Sequence, residues 1–315
     1  MNFLIFLIVL SILIIVHEFG HLVIAKLLGV RVEKFSLGFG PRIISFKRKF
    51  TEYSLSLIPL GGYVKLAGDS REEFKGSHWE YLAKPPGERA AIVFFGPVLN
   101  YFLAFLFFYI VFLIGYPTLS AKVGDLLDGF PAAKSGLLKE DTIIAVEGQR
   151  VSDWEEMQEA IRSKKEGTIE IVALRNKREM KFVITPRIEK LKNIFGQEES
   201  VRLIGIKPKD EFIKLKYNFA DSFIMASKKL WMVTAVTFKA LWRMLTGAMS
   251  FKESVTGPLG IFYLTSKAWE LGISYLLQVM AILSASLAIF NVLPLPILDG
   301  GHLFLLAVEK IRKRP

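Results

Sequence analysis

The 315-residue chain contains no cysteine. That excludes a disulfide framework, a thiolate-held metal and a cysteine nucleophile. Histidine is almost as scarce, with His17, His21, His78 and His302 the only four. Charged side chains are missing from three long stretches, Met1–Val16, Ala90–Ala121 and Leu271–Leu298. A water-soluble enzyme rarely carries such runs, and a helix of roughly 20 apolar residues crosses a bilayer. A basic n-region and a small-residue cleavage site are also absent near the N-terminus, so Met1–Val16 does not read as a secretory leader. Its apolar character resumes after His21 as Leu22–Ala25, which makes about 24 residues in one helix at about 1.5 Å per residue.

What is present fits the same class. Charged residues make up 23% of the chain, so part of it faces water. Lys and Arg number 41 against 30 Asp and Glu, a formal charge of +11. The excess lies beside the apolar runs, with 12 basic against 7 acidic residues from Lys26 to Arg89. Basic flanks of spans mark cytoplasmic loops. No aromatic-plus-basic ladder accompanies them, which argues against nucleic acid as a partner.

These features define a polytopic α-helical membrane protein. Residues 1–29 form the first transmembrane helix. In 30–68 the period changes to two: Tyr53, Leu55 and Leu57 alternate with Ser54 and Ser56, and glycines and a proline supply turns, giving a membrane-associated β-hairpin region. Residues 69–89 are a cytoplasmic loop and 90–118 the second transmembrane helix. Residues 119–187 form an inserted α/β domain, with strands at Thr142–Val146, Thr168–Leu174 and Met180–Thr185. Its helix, Asp153–Arg162, is opened by a capping box of Ser152 and Glu155. Residues 188–218 are a connector with one strand, Val201–Ile206. Residues 219–270 carry Lys228, Lys229, Lys239 and Arg243 and read as amphipathic helices on the membrane surface. Residues 271–299 are the third transmembrane helix, broken near its end by Pro294 and Pro296. Residues 300–315 form a C-terminal cytoplasmic helix. The inserted domain is then extracytoplasmic.

His17-Glu18-Phe19-Gly20-His21 is H-E-x-x-H. On a helix, positions i and i+4 point both imidazoles the same way, so His17 and His21 can share a metal while Glu18 reaches its water. Zinc would lower the pKa of that water to about 7, and Glu18 would act as the general base. Ionisable groups within an apolar span cost about 2.5–3.5 kcal/mol each at mid-span, so they mark function. A third ligand should be a carboxylate at the end of another span. Asp299, directly after Asn291–Leu298, meets that requirement. An N-cap role for Asp299 is compatible with it.

The H-E-F-G-H motif in one span and N-V-L-P-L-P-I-L-D-G in another resemble the site-2 protease family of intramembrane zinc metalloproteases, and within it the bacterial RseP-type group. Gly38-Phe39-Gly40, Pro59–Lys65 and Gly96–Asn100 match further family blocks. Asp128–Gly148 resembles a bacterial PDZ domain. The resemblance implies a zinc endopeptidase of a multi-pass bacterial inner-membrane protein. Its active site lies near the cytoplasmic side and cuts single-pass segments such as an anti-sigma factor or a signal-peptide remnant. It implies substrate contacts at Asn291, Pro294 and Pro296, and at Gly38, Phe39 and Gly40, where the substrate would add as a strand. A peptide ligand of the PDZ-like groove would follow by strand addition too. Family members continue into a further span past the region matching Ile311-Arg312-Lys313. The competing readings are a catalytically silent PDZ membrane adaptor and a metal transporter. The latter should show repeated halves, and none is found. His302 is read as packing near the site and His78 as surface.

Overall fold

The computed structural model describes residues 1–164, 166–192, 198–250 and 257–312. The last three residues of the expected C-terminal helix and parts of the expected connector and surface-helix segments lie outside the described residues. The chain divides into two units. The first comprises Met1–Val111, Ala220–Leu241 and Phe251–Pro315, and the second comprises Phe112–Phe219 and Trp242–Ser250.

The first unit is built from the apolar runs. Helix α1 spans Asn2–Leu27. Its buried residues Phe6, Val9, Leu13, His17 and Gly20 follow the three-to-four spacing of one helical face, so the same face that packs inward carries the first imidazole. Helix α2, Pro86–Ile114, buries Arg89, Ile92, Gly96, Asn100 and Ala104 at the same spacing. After the second unit come α5 (Phe219–Leu245), α6 (Pro258–Leu271), α7 (Ile273–Val292) and α8 (Asp299–Arg312). Three of these helices, α1, α2 and α7, are long and apolar enough to cross a membrane. Helix α5 turns small or polar residues inward, Ser222, Ala226 and Thr234, and leaves Phe223, Trp231 and Trp242 exposed. Thr234 meets the Tyr101 hydroxyl on α2 at 2.9 Å.

Between α1 and α2, strands β1 (Val32–Arg48) and β2 (Thr51–Leu66) pair as an antiparallel hairpin. Gly38 and Gly40 both take φ +83°, a backbone state open to glycine at little cost, and β1 bends there. Because of that bend, Glu52–Leu55 lie between two stretches of β1, Lys34–Leu37 and Ile44–Lys47, and Gly62–Lys65 pair along the other side of Lys34–Leu37. The loop that follows is ordered around Glu80, which is 5% exposed and whose Oε2 accepts the backbone N–H groups of Lys75, Gly76 and Ser77 at 2.9–3.1 Å. Burial pushes the Tyr81 phenol in the adjacent 3₁₀ turn up to about 12. Arg89 at the start of α2 pairs with Glu309 of α8.

In the second unit β5 (Thr142–Val146), β6 (Gln149–Arg150), β7 (Ile169–Arg175) and β8 (Arg178–Ile184) form a four-stranded antiparallel sheet. Its order is β6-β5-β7-β8. The Asn176-Lys177 turn joins β7 to β8 with both residues at positive φ. Helix α4 (Trp154–Ser163) packs Trp154, Met157 and Ile161 into a core that includes Leu137, Ile143, Ile169 and Ile171. The capping box sits one residue later than expected: Asp153 accepts from the Glu156 N–H at 2.8 Å, and Glu156 accepts from the Ser152 N–H at 2.8 Å. Asp153 wins because its Oδ2 also receives the Thr118 hydroxyl at 3.0 Å. The short helix α3 (Pro131–Lys134) precedes β5, while β3 (Tyr116–Leu119) and β4 (Val123–Leu126) open the unit. The segment expected to be a connector supplies β9 (Arg187–Lys192), β10 (Glu198–Leu203), β11 (Ile206–Pro208) and β12 (Phe212–Leu215). Strand β11 returns to β4 and β12 to β3.

Candidate metal centre

His17, His21 and Asp299 converge within the first unit, and their ligand atoms all lie within 4.8 Å of one another. His17 Nε2 is 3.0 Å and His21 Nε2 3.5 Å from Asp299 Oδ2, and the two Nε2 atoms are 3.3 Å apart. A tetrahedral zinc with bonds of about 2.0–2.2 Å separates its ligand atoms by about 3.3–3.5 Å, so the triangle has the right size. The electrostatics agree. Asp299 Oδ2 is buried and receives no hydrogen bond, yet two imidazole nitrogens face it. A cation resolves this meeting of lone pairs. Two histidines and a carboxylate, with a fourth position open, are the donor set of catalytic zinc.

The imidazoles are held from behind. His21 Nδ1 lies 2.9 Å from the Ile92 carbonyl oxygen, which can only accept, so Nδ1 carries the proton and Nε2 is left as a ligand. His17 Nδ1 lies 3.4 Å from the Asn100 amide, and the Asn100 Oδ1 has no partner. Turned so that its oxygen faces His17, the amide accepts the Nδ1 proton and frees the second Nε2. Asn100 is 0% exposed, and its own carbonyl accepts the Ser284 hydroxyl of α7 at 2.7 Å. Helices α1 and α2 meet on glycine: a methyl on Gly20 would lie 2.9 Å from the Gly96 Cα, and one on Gly96 would lie 2.9 Å from His17 Cε1. Only hydrogen fits at either place.

Glu18 is half-buried next to both histidines. Its Cγ lies 3.2 Å from where a methyl on Gly62 would be, and it interacts with the Val64 backbone N–H. Strand β2 therefore runs past the carboxylate. Asn291 at the end of α7 places its amide nitrogen 3.5 Å from His17 Nε2. The chain then leaves the helix through Leu293–Leu298, and Asp299 opens α8. Gly300 and Gly301 let α8 start against the carbonyls of Val292, Leu293 and Leu295. Pro294 and Pro296 are exposed in this segment, and Ile297 is 96% exposed.

Of the residues expected at the site, His17, His21, Asp299, Glu18 and Asn291 come together. Gly38, Phe39 and Gly40 are not among the metal contacts. Their link runs through the hairpin, where the Phe39 ring covers Gly61, the neighbour of Gly62, and stacks on Tyr63 with centroids 6.3 Å apart. His302 is exposed and outside the cluster, and His78 is exposed against Trp79. Asn100, Gly20, Gly96, Ser284 and the Ile92 carbonyl were not singled out as site residues in the sequence. The signals available for Asn100 were its polarity within a charge-free span and its place in the Gly96–Asn100 block.

A family model described as peptidase family M50 matches residues 5–315. A Clostridium acetobutylicum protein is 34% identical over 98% of this chain and 87% of its own length. A Campylobacter jejuni protein is 33% identical, over 99% and 85%. The zinc metalloprotease RasP of Geobacillus kaustophilus is 28% identical, over 98% and 90%.

Proposed function

The chain belongs to peptidase family M50, the site-2 proteases, and is a zinc metalloendopeptidase; from this we propose that it cleaves the membrane-spanning segments of single-pass proteins within the bilayer. The observation that supports the location is that His17 and Glu18 lie on a helix long and apolar enough to span a membrane. His17, His21 and Asp299 would hold the zinc. When bound, zinc supplies Lewis acidity that makes water a competent nucleophile near neutral pH and polarises the scissile carbonyl. Glu18 takes the proton of the attacking water as the new C–O bond forms. It delivers that proton to the amide nitrogen as the C–N bond breaks. Asn291 is placed to hydrogen-bond the substrate backbone beside His17.

A helical substrate hides its carbonyls in i to i−4 hydrogen bonds, so it must unwind. Strand addition along the hairpin, with Gly38–Gly40 shaping it and Asn291, Pro294 and Pro296 clamping the other side, supports the extended form. The family's placement would set the catalytic end at the cytoplasmic face of a bacterial inner membrane and the second unit outside. That unit is read as PDZ-like. A cavity of about 40 Å³ lies between its α4 and Arg202–Ile206, beside the edge where a peptide would add as a strand. An anti-sigma factor or a signal-peptide remnant fits a substrate of this kind. The complete set of metal-binding side chains and Glu18 count against a silent adaptor.

The test is cleavage of a model single-pass substrate in detergent by the intact protein and by Glu18→Gln. The variant should lose about 10²–10⁴-fold in rate and keep one zinc per chain. Equal cleavage by both would remove Glu18 from the mechanism.

A further inference from the structure

A second cavity, of about 410 Å³, lies at the end of α1. It falls within the range of about 300–1,000 Å³ for small-ligand clefts. Four cations line it, Lys26, Arg31, Arg48 and Lys49, and no carboxylate does. None of the four makes an ion pair among the described residues. Two acidic residues flank the lining in sequence: Glu52, between Thr51 and Tyr53, is engaged by Arg42 at 2.6 Å, and Glu33, after Val32, is exposed and is not part of the lining.

The chemistry of the cavity is that of an anion receptor. The Arg31 guanidinium is sandwiched, with its carbon 4.2 Å from the Phe50 ring centroid and 3.9 Å from that of Trp79. Stacking on both faces fixes the plane and leaves the N–H donors at its edge for a ligand. Lys26 Nζ donates to the Tyr53 hydroxyl at 2.5 Å, which holds the ammonium at the rim. In the last turn of α1 the carbonyls of Ile24, Ala25 and Lys26 are engaged by the N–H groups of Leu28, Val30 and Gly29, which leaves the side-chain cations free of them.

The position of the cavity selects the anion. Lys26 is in the last turn of a helix with the length and composition of a span. Its mouth therefore lies at headgroup depth, where Trp, Tyr and basic residues collect. The same hairpin exposes Ile43, Ile44, Phe46 and Phe50 at 58–60%, an apolar shelf beside the cations.

We propose that this cavity binds the phosphate of an anionic phospholipid headgroup, with the acyl chains running along the apolar hairpin surface. The proposal rests on α1 crossing the membrane and is independent of the catalytic reading. The full chain in phosphatidylcholine nanodiscs should bind phosphatidylglycerol, read by native mass spectrometry and by a rise in Tm. The double variant Arg48→Gln/Lys49→Asn should weaken that binding roughly 30-fold at low salt. Asparagine at 49 tolerates the left-handed backbone there, φ +54°, so the hairpin turn is preserved. Arg71→Gln/Lys75→Gln, which removes the same charge from the exposed loop of the same unit, should bind as the parent does. Equal binding by both double variants, or no preference for phosphatidylglycerol, overturns the proposal. If millimolar inorganic phosphate alone reproduces the Tm rise, the site serves a free phosphate and the lipid assignment falls.

Discussion

The two units fold by opposite rules. In the second unit, large side chains such as Leu137, Ile171 and Trp154 fill the interior, and charges stay at the surface in pairs such as Lys164–Glu147 and Lys209–Glu140. In the first unit, glycine, serine and alanine occupy the helix contacts, while Phe102 and Trp231 point outward at 59% and 70% exposure. The buried polar groups differ as well. In the second unit they cap helices and close loops. In the first, His17, Asn100 and Ser284 form one chain of contacts that ends at the metal ligands. Water drives large residues inward only where the alternative is water; beside lipid, close backbone approach and hydrogen bonds hold helices together. Buried polar groups close loops in both units, as Glu80 does in the first, but only in the first does a chain of them reach the candidate metal site.

Substitutions in each unit and a change of pH would break or sharpen this contrast. Leu137→Ala, at a side chain 1% exposed, should cost about 2–5 kcal/mol. Calorimetry should show the loss in the second unit's unfolding while zinc binding is unchanged; a fall in zinc affinity would show that the rules are not separate. Asn100→Ala should lower zinc affinity about 10–100-fold without moving that transition. Competition with a chelator measures it, and Asn100→Asp, which keeps an acceptor toward His17, should recover most of the affinity. Asp153→Ala should cost about 1 kcal/mol, again confined to the second unit and visible as a shift in Tm.

The smallest effect is acid sensitivity. Burial pushes the Asp141 carboxyl up, but the Arg175 guanidinium and the Leu138 N–H more than reverse this, so it titrates below the usual carboxylate range. A carboxylate lowered on folding adds stability that is complete above its unfolded pKa and lost as pH falls through its folded one. The second unit should therefore weaken below about pH 4, and Arg175→Gln should flatten that slope in a Tm-against-pH series. An unchanged slope would remove the pair from the acid response.

Much of this was legible in the residues. Charge-free length alone gave α1, α2 and α7, because a span must satisfy a simple limit of composition and length. The i, i+4 spacing of His17 and His21 pointed to two candidate ligands, Asp299 followed from needing a carboxylate at another span's end, and the structure brings the three together. Strand β5 agrees residue for residue, and β7 and β8 shifted by one or two positions because turn residues with positive φ, Asn176 and Lys177, set the register. The contacts behind the imidazoles were not legible. The Ile92 carbonyl has no sequence signature, and Asn100 and Ser284 come together only once two spans 184 residues apart pack. The pairing of β11 and β12 with the start of the unit was hidden for the same reason, since partners so distant share no local period.

The hydrogen bond from His21 to the Ile92 carbonyl has a consequence for how the site tolerates change. The acceptor belongs to the backbone, so every amino acid at position 92 that keeps the helix supplies it. Side-chain scanning at 92 would report packing and never reveal the orienting role. One ligand's tautomer is thereby insulated from mutation, while the other depends on a single amide at position 100. Drift in this lineage of sequences should be lopsided: free exchange of apolar residues at 92, and at 100 only those that can still accept a proton's hydrogen bond.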